Sequence, residues 1–190
     1  MRYTPKRSGR AADVICLVFF ICAAVLGWAN AVTDGYRAAF QIPSVIFLTA
    51  GIYTLVRYRL MGYNYVIKAR NSDDGGMYAP TDIDFTVEKI QGKRVWTECR
   101  VSLGDIVEIT KIPRSKRSLR LRKDVAPLMK NYPKTTKLYY YTVNLFPQSA
   151  YLMMIRDGAE SAEDACIGII FEPDETMVDQ IKYLSNNKFD

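Results

Sequence analysis

The sequence predicts a membrane α-helical hairpin joined to an α+β domain, in which antiparallel strands are followed by one C-terminal helix. Three observations carry this: two long charge-free apolar segments near the N-terminus, a change to period-two alternation from Tyr63 onward, and one amphipathic segment after Pro173. About 60 of the 190 residues fall in the tail and hairpin, which leaves roughly 130 for a single domain of ordinary size. The expected organisation is a basic cytoplasmic tail over residues 1–10, a hairpin over 11–60 and a domain over 61–190.

The hairpin is read from its length and its flanks. Residues 14–31 (VICLVFFICAAVLGWANA) and 38–56 (AAFQIPSVIFLTAGIYTLV) carry no charge, and the loop between them holds only Asp34 and Arg37. A spanning helix needs roughly 20 apolar residues at about 1.5 Å rise each, so both qualify. Arg2, Lys6, Arg7 and Arg10 precede the first segment; Arg57, Arg59, Lys68 and Arg70 follow the second. Positive charge outside both ends of a neutral loop predicts a multi-pass protein of the cytoplasmic membrane with both termini in the cytoplasm. Trp28, Tyr36 and Phe40 near the outer turn, and Tyr53, Tyr58, Tyr63 and Tyr65 near the inner one, fit interfacial aromatic belts. A basic start, an apolar run and the small-residue pattern Ala29, Asn30, Ala31 also describe a cleavable signal peptide, the rival reading.

Within the first segment Ala23, Gly27 and Ala31 recur every four residues, placing three small side chains on one face where a second helix can approach. The second segment is the simplest partner, and a second copy of the chain is the alternative. Pro43 comes early in its segment, where a missing N–H is expected to cost little.

From Tyr63 the period is two: Tyr63, Tyr65, Ile67 and Ala69 alternate with Asn64, Val66, Lys68 and Arg70, predicting one buried and one mostly polar face. Residues 71–76 and 79–82 read as loop. Asp73, Asp74, Asp82 and Asp84 lack the EF-hand spacing and its terminal Glu, so a solvated turn is favoured over calcium binding. Strands follow at 83–88, 94–101 and 106–112, joined by turns at Gln91-Gly92 and at residues 102–105, which predicts a four-stranded antiparallel meander. Residues 113–136, with Pro113, Pro127, Pro133 and many charges, read as a basic excursion with one short helical turn near 125–130. Strands at 137–146, 151–156 and 165–171 make seven. Asp174 is the expected N-cap of a closing helix whose Met177, Val178, Ile181 and Leu184 share one face.

This order resembles the bacterial pleckstrin-homology-like (PH-like) membrane proteins, which attach such a domain to a transmembrane hairpin. The residues carrying the resemblance are 63–67 (YNYVI) directly after the second apolar segment, 102–106 (SLGDI), and 171–175 (FEPDE) at the helix start. It implies a seven-stranded antiparallel bent barrel plugged by the C-terminal helix, and a scaffold that recognises a partner. It transfers no functional residue.

Charge narrows the function. The chain has 26 Lys plus Arg against 20 Asp plus Glu, and residues 111–137 concentrate ten basic residues with one acidic. With no histidine, no C-x-x-C and no phosphate-cradling glycine loop, no cofactor, no metal and no enzymatic activity is expected. Cys16 and Cys22 fall in the first segment, Cys99 and Cys166 in apolar strands, and all four read as small buried side chains in a reducing compartment.

Strand parity gives the basic residues a place. The first strand must run away from the membrane, so the 91–94 turn and the excursion from Lys111 are expected on the membrane side, with the acidic 73–82 loop pointing into the cytoplasm. Lys93, Arg94, Arg114, Lys116, Arg117, Arg120, Arg122 and Lys123 would then hold the domain on anionic headgroups, leaving a distal face for a protein partner or a second copy. Nucleic acid is disfavoured because Tyr132 and Tyr139 to Tyr141 lie outside the basic cluster. The function expected is a membrane-anchored binding or scaffold module; an accessory subunit of a larger membrane transport or secretion complex is the alternative.

Overall fold

The computed structural model describes residues 1–7, 10–33, 37–69, 83–113, 121–133, 136–156 and 166–185. Two antiparallel helices, α1 (Arg10–Val32) and α2 (Arg37–Leu55), form the hairpin, and both are long and apolar enough to cross a membrane. Only 11% of each apolar segment is buried within the protein, which sets them apart from core helices of a water-soluble domain. Leu17, Ile21, Val25 and Trp28 on α1 and Ile42, Ile46 and Ile52 on α2 face outward along both helices. Soluble monomers do not leave apolar surface of that extent in water.

Where the helices meet, the small residues of α1 are in use. Ser44 Oγ donates to the Ala23 carbonyl at 2.9 Å, and a Cβ on Gly27 would lie 3.6 Å from that same oxygen. Phe19 packs on Phe47, and Gly51 leaves room for Phe20. Ala23 and Gly27 therefore serve packing inside the hairpin, while Ala31 is exposed. Pro43, expected early in its segment at little cost, lies inside α2. The helix starts at Arg37, so Pro43 denies the Ala39 carbonyl its i+4 donor.

No linker follows. α2 passes through a π-helical turn (Val56–Leu60) directly into β2 (Met61–Ala69), which fixes that strand's start at the open end of the hairpin. β3 (Ile83–Gln91) returns with Gln91 opposite Met61, and β4 (Arg94–Ser102) leaves again after a turn at Gly92, whose φ of 60° suits glycine. Residues 2–3 add a strand that the sequence did not reveal. β1 (Arg2–Tyr3) pairs antiparallel with β2, so the sheet order is β1-β2-β3-β4 and the start of the chain belongs to the domain. The outer face of this sheet is polar as expected, yet Asn64, Asp84, Thr86 and Glu88 are buried on it.

The fourth expected strand does not extend this sheet. After a 3-10 turn (Leu103–Asp105), β5 (Ile106–Lys111) crosses to a second sheet made with β6 (Lys137–Tyr140), β7 (Tyr151–Arg156) and β8 (Cys166–Phe171), in the order β5-β7-β8-β6. β6 runs parallel to β8 and ends at Tyr140, six residues short of the expected strand, because residues 141–146 turn away toward the hairpin. The region is α+β with two four-stranded sheets.

One core joins the sheets. Tyr65, Phe85 and Phe171 pack with centroids 5.3–6.3 Å apart, surrounded by Ile106, Met153 and Ile169. α4 (Glu175–Leu184) closes the core with Met177, Val178 and Ile181, and Asp174 caps it by accepting from the Met177 N–H at 2.9 Å. A second cluster, Ile112, Val125, Leu152, Met154 and Ile170, lies on the other face of the second sheet. α3 (Leu121–Val125) and a 3-10 turn (Leu128–Asn131) cover it, so the last part of the basic excursion is a packed lid.

Candidate functional site

The open end of the hairpin, the start of the chain and residues 141–146 converge on one place. The N-terminal arm is tied along β2: the Met1 ammonium donates to the Ile67 carbonyl at 2.8 Å, Thr4 Oγ1 donates to Asn64 Oδ1 at 2.7 Å, and Tyr3 stacks on Tyr65. Arg2 pairs with the nearly buried Glu88, to which Lys68 adds a second cation at 3.6 Å. Burial alone would raise the Glu88 pKa, but the hydrogen bond and charge of Arg2, with Lys68 and Asn64, hold it below the usual carboxylate value.

A buried polar chain fixes the opposite wall. Tyr65 Oη donates to the Tyr141 carbonyl at 2.7 Å and accepts from the Glu172 N–H at 3.0 Å. Asn144 donates to both Glu172 carboxylate oxygens and to the Lys6 carbonyl. Burial pushes the Glu172 pKa up, against the Asn144 hydrogen bonds and the Arg57 charge that favour the carboxylate. Arg57 lies over the rings of Tyr58 and Tyr63 and reaches the Tyr140 carbonyl at 3.4 Å.

Between these walls is a cavity of about 320 Å³ lined by Arg7, Arg10, Asp13, Tyr58, Arg59 and residues 143–146. The Arg7 guanidinium donates to the Arg59 and Met61 carbonyls, the latter at 2.8 Å. Arg59 Nε pairs with Asp13 at 3.1 Å. Arg10 is exposed and makes no ion pair with a described residue. Three guanidiniums against one carboxylate make the cavity cationic, and such groups bind planar or tetrahedral oxyanions. In the sequence these arginines read only as hairpin flanks. Their convergence depends on β1 and on residues 141–146 folding back, neither of which has a local signal.

The expected basic residues are distributed differently. Lys93 and Arg94 occupy the β3–β4 turn, level with Met61 at the open end of the hairpin. Lys123 lies exposed on α3, over the second sheet, and Arg122 is described only as part of the α3 backbone. Arg114, Lys116, Arg117 and Arg120 lie outside the described residues, as do Asp73, Asp74 and Asp82. The start of the excursion is described: Lys111 stands opposite Tyr151, which stands opposite Phe171, in the row next to that of Thr110, Leu152, Ile170 and Tyr140, whose carbonyl Arg57 reaches.

A second, larger cleft of about 600 Å³ opens between β4 and β6, walled by Glu98, Cys99, Arg100, Tyr139 and Tyr141, with Ile155, Ile167 and Ile169 inside. β4 is exposed along most of its length and pairs with β3 alone among the described strands. Burial raises the Cys99 thiol pKa, against a hydrogen bond with Tyr141 that lowers it. Among the described residues no group of three or more His, Cys, Asp or Glu side chains could hold a metal ion.

Comparison with known proteins found no matching family model, no similar curated protein and no similar solved structure.

Proposed function

We propose that the chain is a membrane-anchored, non-enzymatic binding module of PH-like architecture, held by its hairpin in the cytoplasmic membrane with both termini and the domain on the cytoplasmic side. The observation that carries this reading is the linkerless passage from an exposed apolar hairpin, through Val56–Leu60, into the first long strand of a polar-surfaced domain. Two sheets on one core with a terminal helix packed into it suit the PH-like reading. Basic residues bracketing the hairpin support the orientation. Lys93 and Arg94 at the open end favour an anionic leaflet, where each nearby cation contributes roughly 1 kcal/mol. Arg114, Lys116, Arg117, Arg120, Arg122 and Lys123 extend that attraction in this reading. The cleft between β4 and β6 is the surface offered to a protein partner.

The experiment is crosslinking of the full chain in native membranes, followed by carbonate washing, mild solubilisation and mass spectrometry. The module reading expects the chain to resist the carbonate wash and to be crosslinked through β4 or β6 to a protein that the same wash removes from membranes left without crosslinker. Stoichiometric recovery with integral membrane subunits would favour the accessory-subunit reading instead. Release by carbonate would contradict both.

A further inference from the structure

We propose that the cavity between Arg7, Arg10 and Arg59 is a built site for a phosphate-bearing anion, either the headgroup of an anionic phospholipid or free phosphate. The headgroup arm rests on the membrane reading above; the anion chemistry does not.

Two of the three guanidiniums are held in place before any ligand arrives. Arg7 is anchored on two backbone carbonyls and Arg59 on Asp13, so little side-chain freedom has to be lost on binding. Both keep unused donors, since a guanidinium has five N–H groups and these contacts engage only some of them. Arg10 contributes a third cation with no ion pair among the described residues. With Asp13 counted against them, the lining carries a net charge of about +2, which suits one phosphate monoester or diester.

Shape and position agree with this chemistry. A volume of about 320 Å³ is at the small end of ligand sites, enough for a headgroup and too small for a strand of nucleic acid. Tyr58 and Phe146 supply a less polar wall for the carbon skeleton attached to the phosphate. The first turn of α1 also lines the cavity, and its amides lack helical acceptors, which adds to the cationic character without creating it. Finally, the cavity is at the end of both apolar helices, the level at which phosphates lie when such helices cross a bilayer.

The test uses the full chain in two settings. In detergent micelles, inorganic phosphate is titrated and binding is read by calorimetry. In nanodiscs of phosphatidylcholine with and without phosphatidylglycerol, native mass spectrometry counts anionic lipids retained per chain. Arg10→Gln removes an exposed cation that has no ion pair among the described residues, so the fold should survive; unchanged circular dichroism checks this. A Lys93→Gln, Arg94→Gln double variant controls for general attraction to a charged surface. The expected result is one anion per chain in at least one setting, weakened about tenfold or more by Arg10→Gln, the loss of one charge-assisted contact, with phosphate binding in micelles unchanged in the control. Binding of free phosphate identifies a soluble anion as the ligand; retention of phosphatidylglycerol alone identifies the headgroup. No bound anion in either setting, or equal binding by Arg10→Gln, would overturn the site. Failure of the chain to enter nanodiscs at all would instead count against the membrane reading, and the micelle titration would still decide the site.

Discussion

Asn144 holds both carboxylate oxygens of Glu172, its backbone N–H on Oε1 at 3.0 Å and its side-chain amide on Oε2 at 2.6 Å. The same amide reaches the Lys6 carbonyl at 3.1 Å, so one side chain ties the end of β8 to the N-terminal arm. Asn144→Ala should remove a charge-assisted hydrogen bond and leave a buried carboxylate short of a donor, costing about 2–4 kcal/mol of stability. It should also push the already raised Glu172 pKa further up. Chemical denaturation of the full chain in detergent, with and without the substitution, measures the first effect.

Glu88 supplies a pH-dependent hold on β1. Its folded pKa is lowered by Arg2 and Lys68, so its contribution to stability is present above the ordinary carboxylate value of 4.5 and is lost as pH falls through the lower folded value. Acidification below about pH 4.5 should therefore loosen the N-terminal strand first. The Ile67 amide, which donates to the Met1 carbonyl at 2.8 Å, should lose hydrogen-exchange protection in that range. Arg2→Gln should move the loss to higher pH, and an unchanged profile would mean that the pair does not hold the strand.

Gly168 faces Leu138 across the parallel β6–β8 pair, and a Cβ there would also come within 3.3 Å of Leu152 and 3.4 Å of Met154. Gly168→Val should overpack this layer and cost about 1–3 kcal/mol, mostly by displacing β6. Gly168→Ala should cost less, because the end of a leucine side chain can rotate. Equal melting temperatures for all three proteins would contradict the packing described for β6.

Ile181 is fully buried at the centre of the stripe that α4 presents to the core. Ile181→Asp places a lone carboxylate there at a cost of several kcal/mol, a large share of a typical stability of about 5–15 kcal/mol. Loss of the cooperative unfolding transition is the expected outcome.

The features legible in the sequence are those encoded locally. Charge-free length marked α1 and α2, alternation marked β2 to β4, and Asp174 with the spacing of Met177, Val178 and Ile181 marked α4 and its cap. What escaped depends on distant partners. Arg2 and Tyr3 are too few to show a period, and they form a strand only because β2, about 60 residues later, offers its edge. The parallel direction of β6 is set by its neighbour β8, since Leu138 and Tyr139 would alternate equally well in an antiparallel pair. Likewise, Arg7, Arg10 and Arg59 read as membrane flanks one by one, and only the fold makes them one cavity.

The central claim is that the hairpin crosses a membrane with the domain and both termini on its cytoplasmic side, and site-directed labelling tests it most directly. In a cysteine-free background expressed in intact bacterial cells, single cysteines are placed at Thr33, by the hairpin turn, and at Lys93, by its open end. An impermeant maleimide should label Thr33→Cys in intact cells and Lys93→Cys only after permeabilisation. The reverse pattern, or labelling of neither site until the cells are opened, would contradict the account.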